Sequence, residues 1–465
     1  MPYTHTTLAA LNIELANRLA DTDNRFWTTA EKDIYIYEAL RTFGTLTSFW
    51  RERATFTLTA AIPFFDLTTA ITTGLVNSTV TDRDIIEQIQ FALLEDTSSQ
   101  AAWNGTNQFT YNDVSAAITR RRNQFLADTG IILTRSTPAM VLTGRQILVD
   151  TIIDIRRAAF LGAAPSNYYS QLWREDERSM TTANPDWNIE AGTPQAYSVM
   201  APPPLQFQLY PPPIASGSLD LITVSTGPAL DPSTSATALG LPDDLTPAIK
   251  WGALSDLLSI DGQARDPTRA AFCEQRYQQF VELARMLSMV VHTELNGASI
   301  IPEALDTLDS AIPNWQNSTG APSSIALAGW NMLGIHPVPD SNGPYSITLD
   351  VVRKAPIPTS LQQVEVGREQ LDMILDYAEH VALFKVGGAE WQATLQQANN
   401  FLLQSITYNQ RLGAAARYII APKESSQREK DYRPRREQAD GLGALPSITE
   451  PQSFVTANMP TRMNR

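Results

Sequence analysis

Two stretches of this chain spell out the same order of elements, and that repeat limits the folds open to it. Leu205, Phe207 and Leu209 alternate as a strand does, prolines follow at Pro211–Pro213, and Gly217 leads into Leu219 and Leu221. The two runs read as a hairpin with a long Pro/Gly loop. Helices follow from Pro247. Downstream, Leu333-Gly334-Ile335-His336-Pro337 stands as Phe207-Gln208-Leu209-Tyr210-Pro211 does, and Ser346-Ile347-Thr348-Leu349 as Ser218-Leu219-Asp220-Leu221. Two helices come next, about 370–386 and 389–410, broken at Gly387-Gly388.

The front of the chain echoes the middle. Leu8, Leu11, Leu15 and Leu19 have helical spacing. Thr28 with Glu31, and Thr110 with Asp113, each look like a helix-opening cap in which side chains satisfy amides the helix cannot. Phe43 and Phe125 then hold equal places, and strand-like runs follow at Thr55–Leu58 and Ile131–Thr134. Asp82–Glu95 reads as a helix, with Ile85, Ile86, Ile89 and Leu93 on one stripe. Asp266-Pro267 is an N-cap acid before a first-turn proline, and the helix it opens is expected to run on through Leu287 and Val291.

These features predict an α+β fold: a helical bundle with inserted small β-domains, a nested internal duplication and an extended C-terminal arm. The expected divisions are 1–100 (helical half-module), 101–299 (complete module), 300–421 (second half-module) and 422–465 (arm). Front and back halves should form one module in space, with the complete one between them. The arm has eight basic and six acidic residues and few large apolar ones, so it cannot bury enough surface to fold alone. Its Arg428, Tyr432, Arg433, Arg435 and Arg436 are the expected partner-binding residues, on an acidic neighbour.

The composition excludes more than it selects. A net charge of −14 argues against a nucleic-acid clasp, which needs Lys and Arg in excess. One cysteine, Cys273, rules out an internal disulfide, and four histidines leave little for a metal site. The expected cofactor and metal content is none. The N-terminus lacks a signal-peptide pattern and no run of 18 apolar residues occurs, so a soluble protein made in a reducing cytoplasm is expected.

Catalytic signatures are sparse. No phosphate-cradling P-loop, H-E-x-x-H or G-x-S-x-G pattern occurs. Cys273 reads as a structural thiol. His380 reads as a surface or inter-subunit residue and His336 as packing. Arg120-Arg121-Arg122 reads as a salt-bridged helix face. Asp150, Asp154 and the run Glu175-Asp176-Glu177 read as solvated acids; a glycosidase would need a carboxylate pair with one pKa raised.

The middle of the chain resembles the adaptor (head-to-tail connector) proteins of tailed bacteriophages. The likeness lies in an ordered set: Phe109-Thr110 opening a helix, Pro185-Asp186-Trp187, Gly192-Thr193-Pro194-Gln195-Ala196-Tyr197, and Leu209-Tyr210-Pro211-Pro212-Pro213. Gly227-Pro228, Leu241-Pro242-Asp243-Asp244, Ala248 to Leu254 and Asp266-Pro267-Thr268-Arg269-Ala270 complete it. Trp27-Thr28, Glu31 and Glu38-Ala39-Leu40-Arg41 resemble the opening helix of such proteins.

The resemblance implies a helical bundle carrying a small β-domain and a homo-oligomeric ring, commonly of twelve subunits. Such a ring sits in the virion neck between portal and tail or nozzle proteins. DNA passes through it without sequence-specific binding, no membrane is involved, and assembly takes place in the host cytoplasm. The expected function is structural, with no catalytic residues. This chain is about twice the usual adaptor length. A tail-tube or collar component, and a virion-associated glycan hydrolase using the acids at 175–177, are the alternatives.

Overall fold

The computed structural model describes residues 5–420, apart from 96–107, 141, 163–168, 188, 201–203, 234, 263–264 and 313. The chain divides into a compact unit, Met1–Ile406, and a second, Thr407–Arg465. The main helices are α1 (Leu8–Arg18), α2 (Thr29–Thr47), α3 (Asp82–Leu93), α4 (Tyr111–Thr129), α5 (Thr246–Ser259), α6 (Pro267–Met286), α7 (Arg368–Leu383) and α8 (Gly388–Ile420). The main strands are β1 (Arg51–Thr57), β2 (Phe64–Asp66), β3 (Thr134–Ser136), β4 (Arg145–Ile147), β5 (Ile152–Gly162), β6 (Tyr169–Arg174) and β7 (Ala196–Met200). After them come β8 (Gln206–Tyr210), β9 (Gly217–Ser225), β10 (Val290–Leu295), β11 (Ser324–Ala328), β12 (Met332–His336) and β13 (Ser346–Val352). The fold is α+β.

Strand pairing joins the front of the chain to its back. β1 lies antiparallel to β13, and β2 to β12. The stretch between β2 and β10 forms its own set of strands, and the two sets share one register. Ala54 opposes Leu349 as Ser136 opposes Leu221. Phe64 opposes Gly334 as Arg145 opposes Gln208, and Ser324 opposes His336 as Ala196 opposes Tyr210. A β-bulge recurs at the same place. Val291 is the extra residue where β10 meets β13, and Arg156 where β5 meets β9. The peptides Tyr210-Pro211 and His336-Pro337, just past equivalent strands, are both cis.

The helices follow suit. Thr7 caps α1 and bridges to Gln363; Thr81 caps α3 and bridges to Ala238. α1 packs on α2 and α7 as α3 packs on α4 and α5. One copy of the unit is therefore split (α1, α2, β1, β2, then β10 to α8), and the other (α3 to α6) is inserted into it. By this register α3 sits in the inserted copy.

The copies differ in how their sheets are buried. The inserted strands join in one eight-stranded sheet over a separate core of Phe160, Phe207, Leu209, Leu219 and Leu221. The split copy's strands stay in separate sheets, and their apolar faces run into the main helical core.

Three local expectations are corrected. β8 and β9 are not a hairpin: β8 pairs with β7 and β4, while β9 pairs with β3 and β5. Alternation identified both strands but carried no information on partners. The α6 helix stops at Met286, and Val290–Leu295 is a strand; β-branched Val290, Val291 and Thr293 pack better on a pleated surface than on a helix. At α2 only half the capping box forms. Thr28 accepts from the Glu31 amide, but the Glu31 carboxylate turns inward to Lys385 and Tyr35. Thr110 with Asp113 makes the full box on α4, which ends at Gly130 in the left-handed region (φ +61°).

Candidate assembly interface

The two copies meet through helices, and buried polar side chains fix how. The α2 stripe of Ile36, Leu40 and Phe43 faces the core and carries Glu38 with it into burial. There Glu38 meets two residues of α5. Lys250 pairs with its carboxylate, and Trp251 Nε1 donates to Oε1 at 2.9 Å. Burial pushes the Lys250 ammonium below the ordinary lysine range, with the Glu38 carboxylate opposing that shift. Beside them Arg276 of α6 donates to the Tyr377 hydroxyl of α7 at 2.6 Å. An aromatic cluster surrounds the joint: Trp251 of the inserted copy meets Phe384 of the split one, and Phe272 meets Trp391, edge to face at 5.2 and 5.0 Å.

His380 belongs to this cluster. It is buried between Phe272 and Trp391 and bonds Thr394 at 3.0 Å, which corrects its reading as a surface residue. Burial, with Arg276 adding to it, pushes its pKa down to about 4. Cys273 is fully buried on α6, and burial pushes its thiol up, away from the reactive thiolate.

A second joint lies at the start of α5. Asp243 accepts from the Thr79 and Val80 amides at 2.6 and 2.9 Å and pairs with Lys354 at 3.2 Å. Asp244 accepts from the Ala355 amide at 3.0 Å, while its own carbonyl takes the Thr45 hydroxyl at 3.2 Å. Full burial pushes the Asp244 pKa up to about 7, against the pull of Arg41 and the Ala355 amide. An unfolded aspartate ionises near 4, so between pH 4 and 7 the folded chain holds this proton more tightly. Stability should therefore fall as pH rises through that window, by up to about 4 kcal/mol, and level off above it. Asp244→Asn should lose this fall and be the more stable protein at pH 8. Thermal unfolding of both chains from pH 5 to 8 checks this; parallel curves would refute it. His380, pushed down to about 4, adds an opposite trend over much of the same range, but it does so in both proteins, so their difference isolates Asp244.

A third joint ties the inserted sheet to the split copy. Arg157 of β5 makes two bonds to Asp309, at 2.6 and 2.8 Å, and Trp315 Nε1 donates to the same carboxylate at 2.7 Å. Asn331 exchanges bonds with the backbone of Leu133 at 2.8 and 2.9 Å.

The other singled-out residues fall into ordinary surroundings. Arg120 and Arg121 pair with Asp256, and Arg121 also with Glu274. Arg122 is buried and donates to the Pro228 carbonyl; burial lowers its pKa to about 10. Glu175, Asp176 and Glu177 are exposed, and Asp176 caps the short helix Glu177–Ala183. Asp154 pairs with Arg156 and Arg174. His336 stands where Tyr210 does, beside a cis-proline. Among the described residues no group of three or more His, Cys, Asp or Glu is placed to hold a metal ion. No described helix is long and apolar enough to cross a membrane. Arg428, Tyr432, Arg433, Arg435 and Arg436 lie outside the described residues.

Residues 80–294 match the family model of the SU10 adaptor protein. The matched stretch is a little under half of the chain. It opens one residue before the Thr81 cap of α3, covers the inserted copy and runs on into β10, the next strand of the split copy. The match supports a phage adaptor-type structural protein. Apart from β10, the split copy repeats the register of the SU10-adaptor segment from outside the matched residues. No curated protein matches the chain. Sequence reasoning missed Glu38, Lys250, Asp244 and Asp309 as the residues that fix the joint. Glu38 and Lys250 lie within stretches quoted for the family resemblance, but nothing local marks either as buried.

Proposed function

We propose that this chain is a neck component of a tailed phage: a ring subunit that joins the portal to the tail and surrounds the DNA channel. The observation that carries it is the coincidence of the SU10 adaptor match with a complete folded copy. The net charge of −14 suits a channel lining that lets a polyanion slide without gripping it. Portal and tail or nozzle proteins are the partners, the virion neck is the location, and assembly takes place in the host cytoplasm. The work is geometric, so no catalytic residue is assigned.

The C-terminal segment is the portal- or neighbour-binding arm in this reading, with Arg428, Tyr432, Arg433, Arg435 and Arg436 meeting an acidic surface. Negative-stain microscopy with light scattering on the full chain, alone and with portal, tests the whole reading. Rings in either sample support it; a chain that stays single with every virion partner overturns it. Truncation after Ala421 should leave a soluble body whose portal binding falls tenfold or more. Unchanged binding would remove the arm from the interface.

A further inference from the structure

The contact between the two copies runs in one direction. In the helical layer, α2, α7 and α8 of the split copy receive α5 and α6 of the inserted copy. The shared register shows what each copy has left over. α2 buries Glu38, Thr42 and Thr45 in this contact; the same positions on α4 are Arg120, Gln124 and Ala127, which are exposed, exposed and half-buried. The inserted copy buries Asp244, Pro247 and Trp251; the same positions on the split copy are Glu369, Asp372 and Asp376, which are exposed, exposed and half-buried.

A head-to-tail contact leaves each partner with an unused version of the other's face, and it propagates, giving a ring where the rotation closes and a filament where it does not. The matched positions differ in charge: Glu369, Asp372 and Asp376 on one unused face, Arg120 with the uncharged Gln124 and Ala127 on the other. Asp372, Asp376 and Glu379 gather around the single arginine Arg18. The α4 face carries Arg120, whose side chain is 61% exposed beside its partner Asp256.

We infer that successive chains join by repeating the contact that joins the two copies within one chain. The α4 face of one chain receives the α1–α7 face of a second copy of the chain, and each chain fills two consecutive positions of the assembly. Arg120 meets Asp376 of the neighbour where Glu38 meets Trp251 within the chain. This deepens the ring reading and rests on it.

Paired cysteines test the surface. Thr45 touches Asp244 within the chain, so Ala127→Cys and Glu369→Cys should face each other between chains. Cys273, the lone native thiol, is buried. In full-length chain incorporated into phage particles, oxidation of the double variant should give a ladder of linked chains, and either single variant none. Arg120→Glu should cut incorporation at least tenfold, and adding Asp376→Arg should recover most of it. An oligomer in the particles without a ladder, and with Arg120→Glu incorporated normally, overturns this surface and leaves the ring standing. Particles holding only single, unassociated chains overturn the ring reading itself, and this inference with it.

Discussion

Glu38→Leu should cost about 3–5 kcal/mol of folding stability, because it leaves the Lys250 ammonium buried with no counter-charge. The geometry makes the cost steep. Lys250 is 3% exposed, and the Trp251 Nε1 donor beside it loses its acceptor in the same change. Adding Lys250→Met removes the orphaned charge, so the double variant should regain most of the loss. Urea unfolding of the parent, both single variants and the double variant measures the coupling. A single change worth less than 1 kcal/mol, or a double variant no better than the single, would mean that water reaches the pair. The pair joins the two copies, so the same series reports how much of their docking depends on one ionic contact.

Asp309→Ala should have an effect of the same order, about 3–5 kcal/mol, for a related reason. Asp309 serves two donors, the Arg157 guanidinium on the inserted sheet and the Trp315 indole of the split copy. Asp220 lies 3.5 Å from Arg157 and would keep part of the charge balanced. Asp309→Asn, which retains one acceptor, should fall between parent and alanine. Amide exchange should speed first in β5 and around Trp315 if the bridge holds these parts together. Uniform loss of protection across the chain would instead make Asp309 a general core residue.

The sequence carried the local decisions of this fold well. Caps at Thr110 and Asp266 are short-range chemistry, a side-chain oxygen meeting amides within one turn, and both form as expected. Alternating apolar residues identify β8, β9 and β13; burial alternates along β13, while β8 and β9 are covered on both faces. Partnership was harder to read. The nearest alternating neighbour of β8 is β9, yet its partners are β7 and β4, because the chain leaves β8 through Pro211 and passes to another part of the sheet. The end of α6 was misplaced because Leu287 and Val291 suit a helix stripe as readily as a strand.

The joint between the copies was the least legible part. Glu38 and His380 carry polar labels, and a polar residue on a helix is by default a surface one. Each is buried because a partner more than a hundred residues away covers it: Lys250 for Glu38, Phe272 for His380. No local pattern encodes such a partner. The repeat offered an indirect signal. At one position of the repeat, the first copy has Glu38 and the second has Arg120, a reversal of charge that uniform exposure would not require.

The splitting of one copy by the other also has a consequence in time. Thr57 pairs with Ser346, so strand β1 leaves the ribosome long before its partner exists. At about 5–20 residues per second, the wait is roughly 15–60 s. The inserted copy is complete by then and can fold on the emerging chain. The first fifty-odd residues, with Leu8, Ile36 and Phe43 still uncovered, need shelter through that interval. A finished inserted copy offers it, since α2 docks against α5 through Glu38 and Lys250, both already synthesised. The early-made copy would then act as a scaffold on which the chain's two ends are brought together.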